Sequence, residues 1–204
     1  MQNRVLLSFR NRILPLTLAA IAFAGVQAQD LKSFEQRITT KVLPNGLTLI
    51  ICERHDAPVF SYTTFVDAGD VDDPSGESGL AHMFEHLAFK GTSQIGTNDY
   101  ADEKIALEKV EAANNAYEAE YLKAVGRDEN KLVELKKAFL AAQAEAHKYV
   151  IPNQFTDVAE RNGAEGLNAE TGMDNTMFFW SMPENRLELW AWLESARLSD
   201  TVPR

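Results

Sequence analysis

Residues 82–86 read His82-Met83-Phe84-Glu85-His86, and they restrict the local backbone more than any other stretch of the chain. Histidines four apart, with a glutamate just before the second, converge only on an α-helix. At about 100° per residue, His82, Glu85, His86 and Phe89 gather around one direction. Leu80, Met83, Phe84 and Leu87 recur at i, i+3, i+4 and i+7 and gather on the opposite side. The expectation is a helix that buries the apolar stripe and turns its His/Glu face away from it. Ser78 is the expected N-cap, Lys90 falls in the last turn and Gly91 is the expected stop. Ala68-Gly69-Asp70 and Asp73-Pro74-Ser75-Gly76 are turn-forming, so a strand running into a turn and then into this helix is predicted.

Two imidazoles one turn apart, with a carboxylate between them, can hold a zinc ion and activate a water on it. His-x-x-Glu-His is the order found in the inverted zincins. A lone helical histidine is ordinarily solvated or structural; a pair with its glutamate, off the apolar stripe, is not explained that way. Five residues also match by chance, so the flanking sequence decides.

The flanks, Phe65-Val66-Asp67-Ala68-Gly69 and the run from Gly79 to Thr92, resemble the signature of the M16 (pitrilysin/insulinase-like) metallopeptidases, which include the mitochondrial processing peptidases. Gly166-Leu167-Asn168-Ala169-Glu170-Thr171, followed by Thr176-Met177-Phe178-Phe179, is similar to that family's glycine-x-Asn-Ala-x-Thr segment and the strand after it. Leu43-Pro44-Asn45-Gly46-Leu47 resembles its opening hairpin. The resemblance covers about residues 36–99 and 159–200.

It implies an α+β fold, a mostly antiparallel sheet with helices on one face. His82 and His86 match the first two ligands of a single Zn2+, and Glu85 matches the general base. Asn168 and Ala169 match a strand that helps hold extended peptide, although Asn168 alone also reads as a turn residue bonded to its own backbone. The family's third ligand is a Glu that follows the Asn-Ala-x-Thr strands and the next helix, and is expected beyond Arg204. Glu160 and Glu165 lie at a tempting distance downstream of the motif, but they precede the Asn168 block and are not assigned. A catalytic zinc takes three protein ligands and keeps one open position. The chain therefore reads as the N-terminal part of a first M16 domain, truncated and inactive alone.

The function implied is an exported zinc-dependent metalloendopeptidase acting on extended peptides or unfolded segments. The alternative is a catalytically inactive M16-like binding or partner subunit, or an inactive fragment. A second M16-like domain or subunit is a candidate partner. A structural zinc site would need four ligands, and Cys52 stands in a distant strand.

Arg4, Arg10 and Arg12, the apolar run Ile13–Val26 and the small-x-small site Val26-Gln27-Ala28 have the form of a signal peptide cleaved after Ala28. Export across the inner membrane to the periplasm or beyond is expected, with no stable membrane span after cleavage. The formal charge of −10 includes those three arginines and no acidic residue of the leader, leaving −13 on residues 29–204. Such acidity argues against nucleic acid and anionic membrane surfaces as partners. Cys52 is the single cysteine. It follows Leu49-Ile50-Ile51, where a buried thiol is the default.

Ile38–Leu43 is expected to pair with Leu47–Cys52 across Pro44-Asn45-Gly46, and Val59–Val66 to form a strand leading to the His/Glu helix. His55, between Arg54 and Asp56, reads as a solvated loop residue. Residues 101–149 are rich in Glu, Lys and Ala. Ile105, Val110, Ala113, Tyr117 and Tyr121 space as one helical face, and Leu132, Leu135, Phe139 and Ala142 as another. Gly126-Arg127-Asp128 breaks them, so an antiparallel helical hairpin inserted at about 100–150 is predicted, with charged outer faces. An arm or lid over the cleft is its second reading. His147 reads as structural or solvated. Ile151–Gly166 reads as a polar return loop, followed by strands near Gly166–Thr171 and Thr176–Met182. Pro183 opens a helix to about Leu198. Leu187, Leu189, Trp190, Ala191, Trp192 and Leu193 make it apolar on more than one side, so burial on two fronts is expected, one against this domain's sheet and the other against a continuation of the chain.

Overall fold

The computed structural model describes residues 34–204; the expected signal peptide lies outside them. The chain divides into two units at Ala57/Pro58. In the first, β1 (Ile38–Val42) and β2 (Thr48–Cys52) pair antiparallel, from Ile38 opposite Cys52 to Val42 opposite Thr48. The Asn-Gly turn closes the ribbon: Leu43 N–H donates to Leu47 O at 2.8 Å, and Asn45 Oδ1 accepts from Leu47 N–H at 3.2 Å. Cys52, expected to be buried, is exposed. A two-stranded ribbon has no covering layer of its own, and along β2 only Leu49 is half-buried.

The second unit is built on a three-stranded antiparallel sheet in the order β3-β5-β4. β3 is Val59–Val66. The His/Glu helix, α1, is Leu80–Leu87. Two long helices follow, α2 (Tyr100–Tyr121) and α3 (Glu129–Ala146), then a short α4 (Gln154–Arg161). β4 (Glu165–Thr171), β5 (Thr176–Pro183) and α5 (Leu187–Ser199) complete the chain.

The period of two along a strand sorts the sheet into two faces. On the central strand β5, Thr176, Phe178, Trp180 and Met182 are buried and alternate with half-buried residues. Phe60, Tyr62, Thr64 and Val66 of β3 stand opposite Met182, Trp180, Phe178 and Thr176 and share their face. On the other side Ala169 stands opposite Phe178, and Thr171 opposite Thr176. Helices cover this face. Phe155 and Ala159 of α4 and Leu193 of α5 join Ile95, Trp180 and Met182 as the buried core. The opposite face leaves Val59, Ser61, Thr63 and Phe65 exposed.

Two expectations are corrected here. Residues 154–161 are a helix, not part of a return loop. Phe155, Val158 and Ala159 form its inner stripe, hidden in the sequence among Gln154, Thr156, Asp157, Glu160 and Arg161. Helix α5 meets the sheet with Leu189, Trp190 and Leu193, which pack on the core, and on its other front Leu187, Trp192 and Leu198 are exposed. Pro183 ends β5, and a 3-10 turn at Glu184–Arg186 precedes α5. No helix among the described residues is long and apolar enough to cross a membrane.

The helical hairpin is present as α2 and α3, capped by Asp99, which accepts from Asp102 N–H, and by Asp128, which accepts from Asn130 and Lys131 N–H. Leu132 and Ala146 are buried, but Ile105 and Tyr121 lie outside. The inner face of α2 runs instead through Glu103, Ala106, Val110, Ala113, Tyr117 and Glu120. Two carboxylates thus occupy core-facing positions that a count of apolar residues skips. Each is paired, as a buried charge requires. Glu103 meets Arg204, Nε to Oε1 at 2.6 Å. Glu120 meets Lys123 at 2.7 Å and Lys131 at 3.1 Å, and accepts from Asp128 N–H at 3.0 Å.

Those donors, Lys123 foremost, hold the Glu120 carboxyl down at about 2. Its pairing therefore stabilises the fold fully above the ordinary carboxyl range and is lost as pH falls through the depressed value. Glu120→Gln is expected to lower the melting temperature at pH 7, with the gap to wild type closing between about pH 5 and pH 2. A gap that stays constant over that range in thermal unfolding would contradict the pairing.

Candidate functional site

Helix α1 is held at both ends by groups outside it. After β3 the chain turns at Ala68-Gly69 and leans on the β4–β5 connection: Asp70 N–H donates to Gly172 O at 3.1 Å, and Val71 N–H to Met173 O at 2.8 Å. Gly69 allows this approach, since a Cβ there would stand 2.5 Å from Gly172 O. The chain then brings the Asp73 carboxylate over the start of α1, where it accepts from the N–H groups of Gly79 (2.6 Å), Leu80 (3.1 Å) and Ala81 (2.9 Å). Gly79, not Ser78, is the N-cap residue; its φ of 92° lies in the left-handed region that glycine adopts without strain. The Ala81 N–H foremost, with those of Gly79 and Leu80, holds the Asp73 carboxyl below the usual carboxylate range.

Beyond α1, Phe89 packs on Phe155 and Phe178 with ring centroids 6.0 and 5.8 Å apart. Gly91 O accepts from Val202 N–H at 3.1 Å, and the Ser93 hydroxyl bonds to Asp200.

Between these anchors the His82 and His86 rings stack at 4.9 Å, with Nε2 atoms 3.1 Å apart. Both rings are exposed. Zinc–nitrogen bonds of about 2.0–2.1 Å in a tetrahedral site place two ligand atoms about 3.3–3.4 Å apart, so this pair fits a zinc ion with little adjustment. Glu85, half-buried one residue before His86, turns toward the sheet and accepts from Thr171 Oγ1 at 2.5 Å.

The helix is therefore oriented differently from the expectation. Met83 and Phe84, assigned to a buried stripe, are 59% and 58% exposed, while Leu80 and Leu87 are half-buried. At this end of the covered face the sheet presents Thr171 and Thr176, which suit a carboxylate better than a hydrocarbon. The aromatic anchor comes from Phe89, past the helix end. A cavity of about 270 Å³ opens beside Glu85, walled by Val66, Ala81, Phe84 and Phe178.

Asn168 lies exposed within β4, not in a turn, and Ala169 is half-buried on the covered face. Among the described residues β4 pairs only with β5, so its outer edge is free to accept another strand. His55 is exposed in the first unit, 3.8 Å from Glu53, and His147 is exposed in a 3-10 turn after α3. Among the described residues no group of three or more His, Cys, Asp or Glu side chains is placed to hold a metal. Glu160 and Glu165 accordingly do not complete the histidine pair. Thr171, Asp73 and the cavity carry no role in the sequence reading. Thr171 did stand inside the Asn-Ala-x-Thr segment, but nothing in the chain's order tells that its hydroxyl meets Glu85.

Loss of the Asp73 clamp should loosen the start of α1 while leaving the sheet intact. In Asp73→Ala, the amides of Leu80 and Ala81 are expected to exchange with solvent several-fold faster, with those of β5 unchanged. In the wild type the same protection is present above the ordinary carboxyl range and fades as acid titrates Asp73. Equal exchange in the two proteins at neutral pH would contradict the clamp.

The family model for insulinase, peptidase family M16, matches residues 49–127. Cytochrome b-c1 complex subunit 1, mitochondrial, of Bos taurus is 32% identical over 138 residues, covering 65% of this chain and 28% of that protein. Mitochondrial-processing peptidase subunit beta of Saccharomyces cerevisiae is 32% identical over 101 residues, 47% of this chain and 21% of that protein. In fold, the chain is similar to a protease from Helicobacter pylori of known crystal structure, with a TM-score of 0.50 at 18% identity, over 82% of this chain and 27% of that one. The matches span between a fifth and three-tenths of the relatives' own lengths. Over these stretches of sequence the chain is similar to members of peptidase family M16.

Proposed function

We propose that this chain carries the histidine pair and general base of a zinc-dependent endopeptidase that cleaves extended or unfolded polypeptide. The observation that carries the reading is the convergence of the His82 and His86 Nε2 atoms, 3.1 Å apart, on the helical turn that also presents Glu85. His82 and His86 would hold the ion, with a third protein ligand supplied from outside the described residues. Zinc, when bound there, supplies a Lewis acid and a water acidified toward neutrality.

Glu85 would take a proton from the attacking water and pass it to the leaving amine. The free edge of β4, with Asn168 and Ala169, takes the substrate as an added strand, so that main-chain hydrogen bonds give affinity with little sequence preference. The leader-like segment at residues 1–28 supports export and a periplasmic or extracellular site of action. The matched relatives are by name subunits, of a mitochondrial processing peptidase and of a cytochrome complex, which supports a second M16-like domain or subunit as partner.

A second reading, a binding or partner subunit without chemistry, is favoured by the likeness to cytochrome b-c1 complex subunit 1 and by the histidine pair's lack of a third ligand among the described residues. The two differ in one assay. In the full-length protein, Glu85→Gln is expected to keep its zinc and lose peptide cleavage by about 10²–10⁴-fold, the usual contribution of a general acid–base. His82→Ala should lose the zinc as well. Substantial cleavage by Glu85→Gln would overturn the role of Glu85. A zinc-loaded wild type without chelator-sensitive cleavage would favour the partner subunit.

A further inference from the structure

A general base must offer one particular oxygen to a water, yet a glutamate side chain has three freely turning torsions and two equivalent oxygens. In this structure they are not equivalent. Oε2 of Glu85 accepts from Thr171 Oγ1 at 2.5 Å, the one hydrogen bond to this carboxylate among the described residues, and Oε1 has no partner. An ionised carboxylate has no proton to give, so the threonine must donate its only one.

The donor itself is well fixed. Thr171 is β-branched and therefore stiff at χ1. It is the last residue of β4, opposite Thr176, beside a turn closed by Gly172 N–H on Asn175 O at 2.8 Å. The Asp70 and Val71 amides brace the same turn. Thr171 thus joins the sheet to α1 at the one glutamate of the His/Glu motif.

We propose that Thr171 is a positioning residue for Glu85. Its hydroxyl pins Oε2 and leaves Oε1 as the oxygen that receives the proton from water; the O–H bond of water breaks as the Oε1–H bond forms, and the same proton later goes to the leaving amine nitrogen. This rests on the peptidase reading for its catalytic consequence, but the pinning of the side chain does not.

The test compares Thr171→Val, which keeps the shape without the donor, and Thr171→Ser, which keeps the donor, in the full-length protein. Crystal structures of the three proteins report the Glu85 rotamer, and a fluorogenic unfolded peptide reports kcat and KM separately. Glu85 is expected in a single rotamer in wild type and the Ser variant and in several in the Val variant. The Val variant should lose about 10²-fold in kcat, the scale of a small misplacement, with KM and zinc content unchanged, and Ser should restore most of it. If Thr171→Val does not fold, Thr171→Ala takes its place.

A single unchanged Glu85 rotamer in the donorless variant, or a kcat equal to wild type, overturns the proposal. So does a Ser variant as impaired as Val. Absence of cleavage by wild type would count against the peptidase reading; the rotamer comparison then decides the pinning by itself.

Discussion

The second unit is organised around one buried cation. The Arg197 guanidinium lies inside the core, centred 4.1 Å from the Phe178 ring and 5.0 to 5.5 Å from those of Trp180, Phe89 and Phe155. It pairs with Glu194 on the same helix, and its Nε and Nη1 find no hydrogen-bond acceptor. The aromatic faces therefore stand in for the missing acceptors. Glu194 is satisfied in turn by the Tyr62 hydroxyl at 2.5 Å and that of Thr64 at 2.8 Å. Burial, and then the Glu194 carboxylate, push the Tyr62 phenol well above its ordinary range, so it remains a donor at every physiological pH. Removing one partner of such a buried pair strands the other, at a cost of about 3–5 kcal/mol. Through this cluster β3, β5, α4, α5 and the segment after α1 become one packed body.

The geometry at the histidines follows from that packing. Phe89 links the end of α1 to the Arg197 cluster, and Phe178 carries the cluster to the wall of the cavity beside Glu85. With Asp73 fixing the other end, an eight-residue helix gains a defined orientation that its own hydrogen bonds could not supply. Little of α1 is buried, and Met83 and Phe84 stay exposed. The helix is positioned by its ends and by the Glu85–Thr171 hydrogen bond more than by an apolar face.

What the sequence revealed was whatever had a period or a punctuation mark. The Asn-Gly hairpin, the strands β3 and β5, the two long helices with the break at Gly126-Arg127-Asp128, and the helical spacing of His82, Glu85 and His86 all read directly. The rest depended on partners remote in sequence. Helix α4 was missed because eight residues hold a single inner stripe among polar ones. The face of α2 was mis-set because its inner positions include Glu103 and Glu120, tolerable there only because Arg204 and Lys131 arrive from elsewhere and Lys123 reaches back from the end of the helix. The cap of α1 was misplaced because its carboxylate comes from Asp73, six residues before Gly79. The side of α1 facing the sheet was mis-set at Met83, Phe84 and Glu85 because hydrophobic periodicity cannot anticipate that the sheet meets it with threonines.

The central claim is that His82 and His86 together ligate zinc. X-ray absorption at the zinc edge of the purified full-length protein tests this most directly. Two imidazoles are predicted, with nitrogen or oxygen scatterers at about 2.0–2.1 Å and the outer-shell pattern of two histidine rings, which His86→Ala should reduce to one. A first shell containing sulfur at about 2.3 Å, or an imidazole pattern unchanged in His86→Ala, would contradict it.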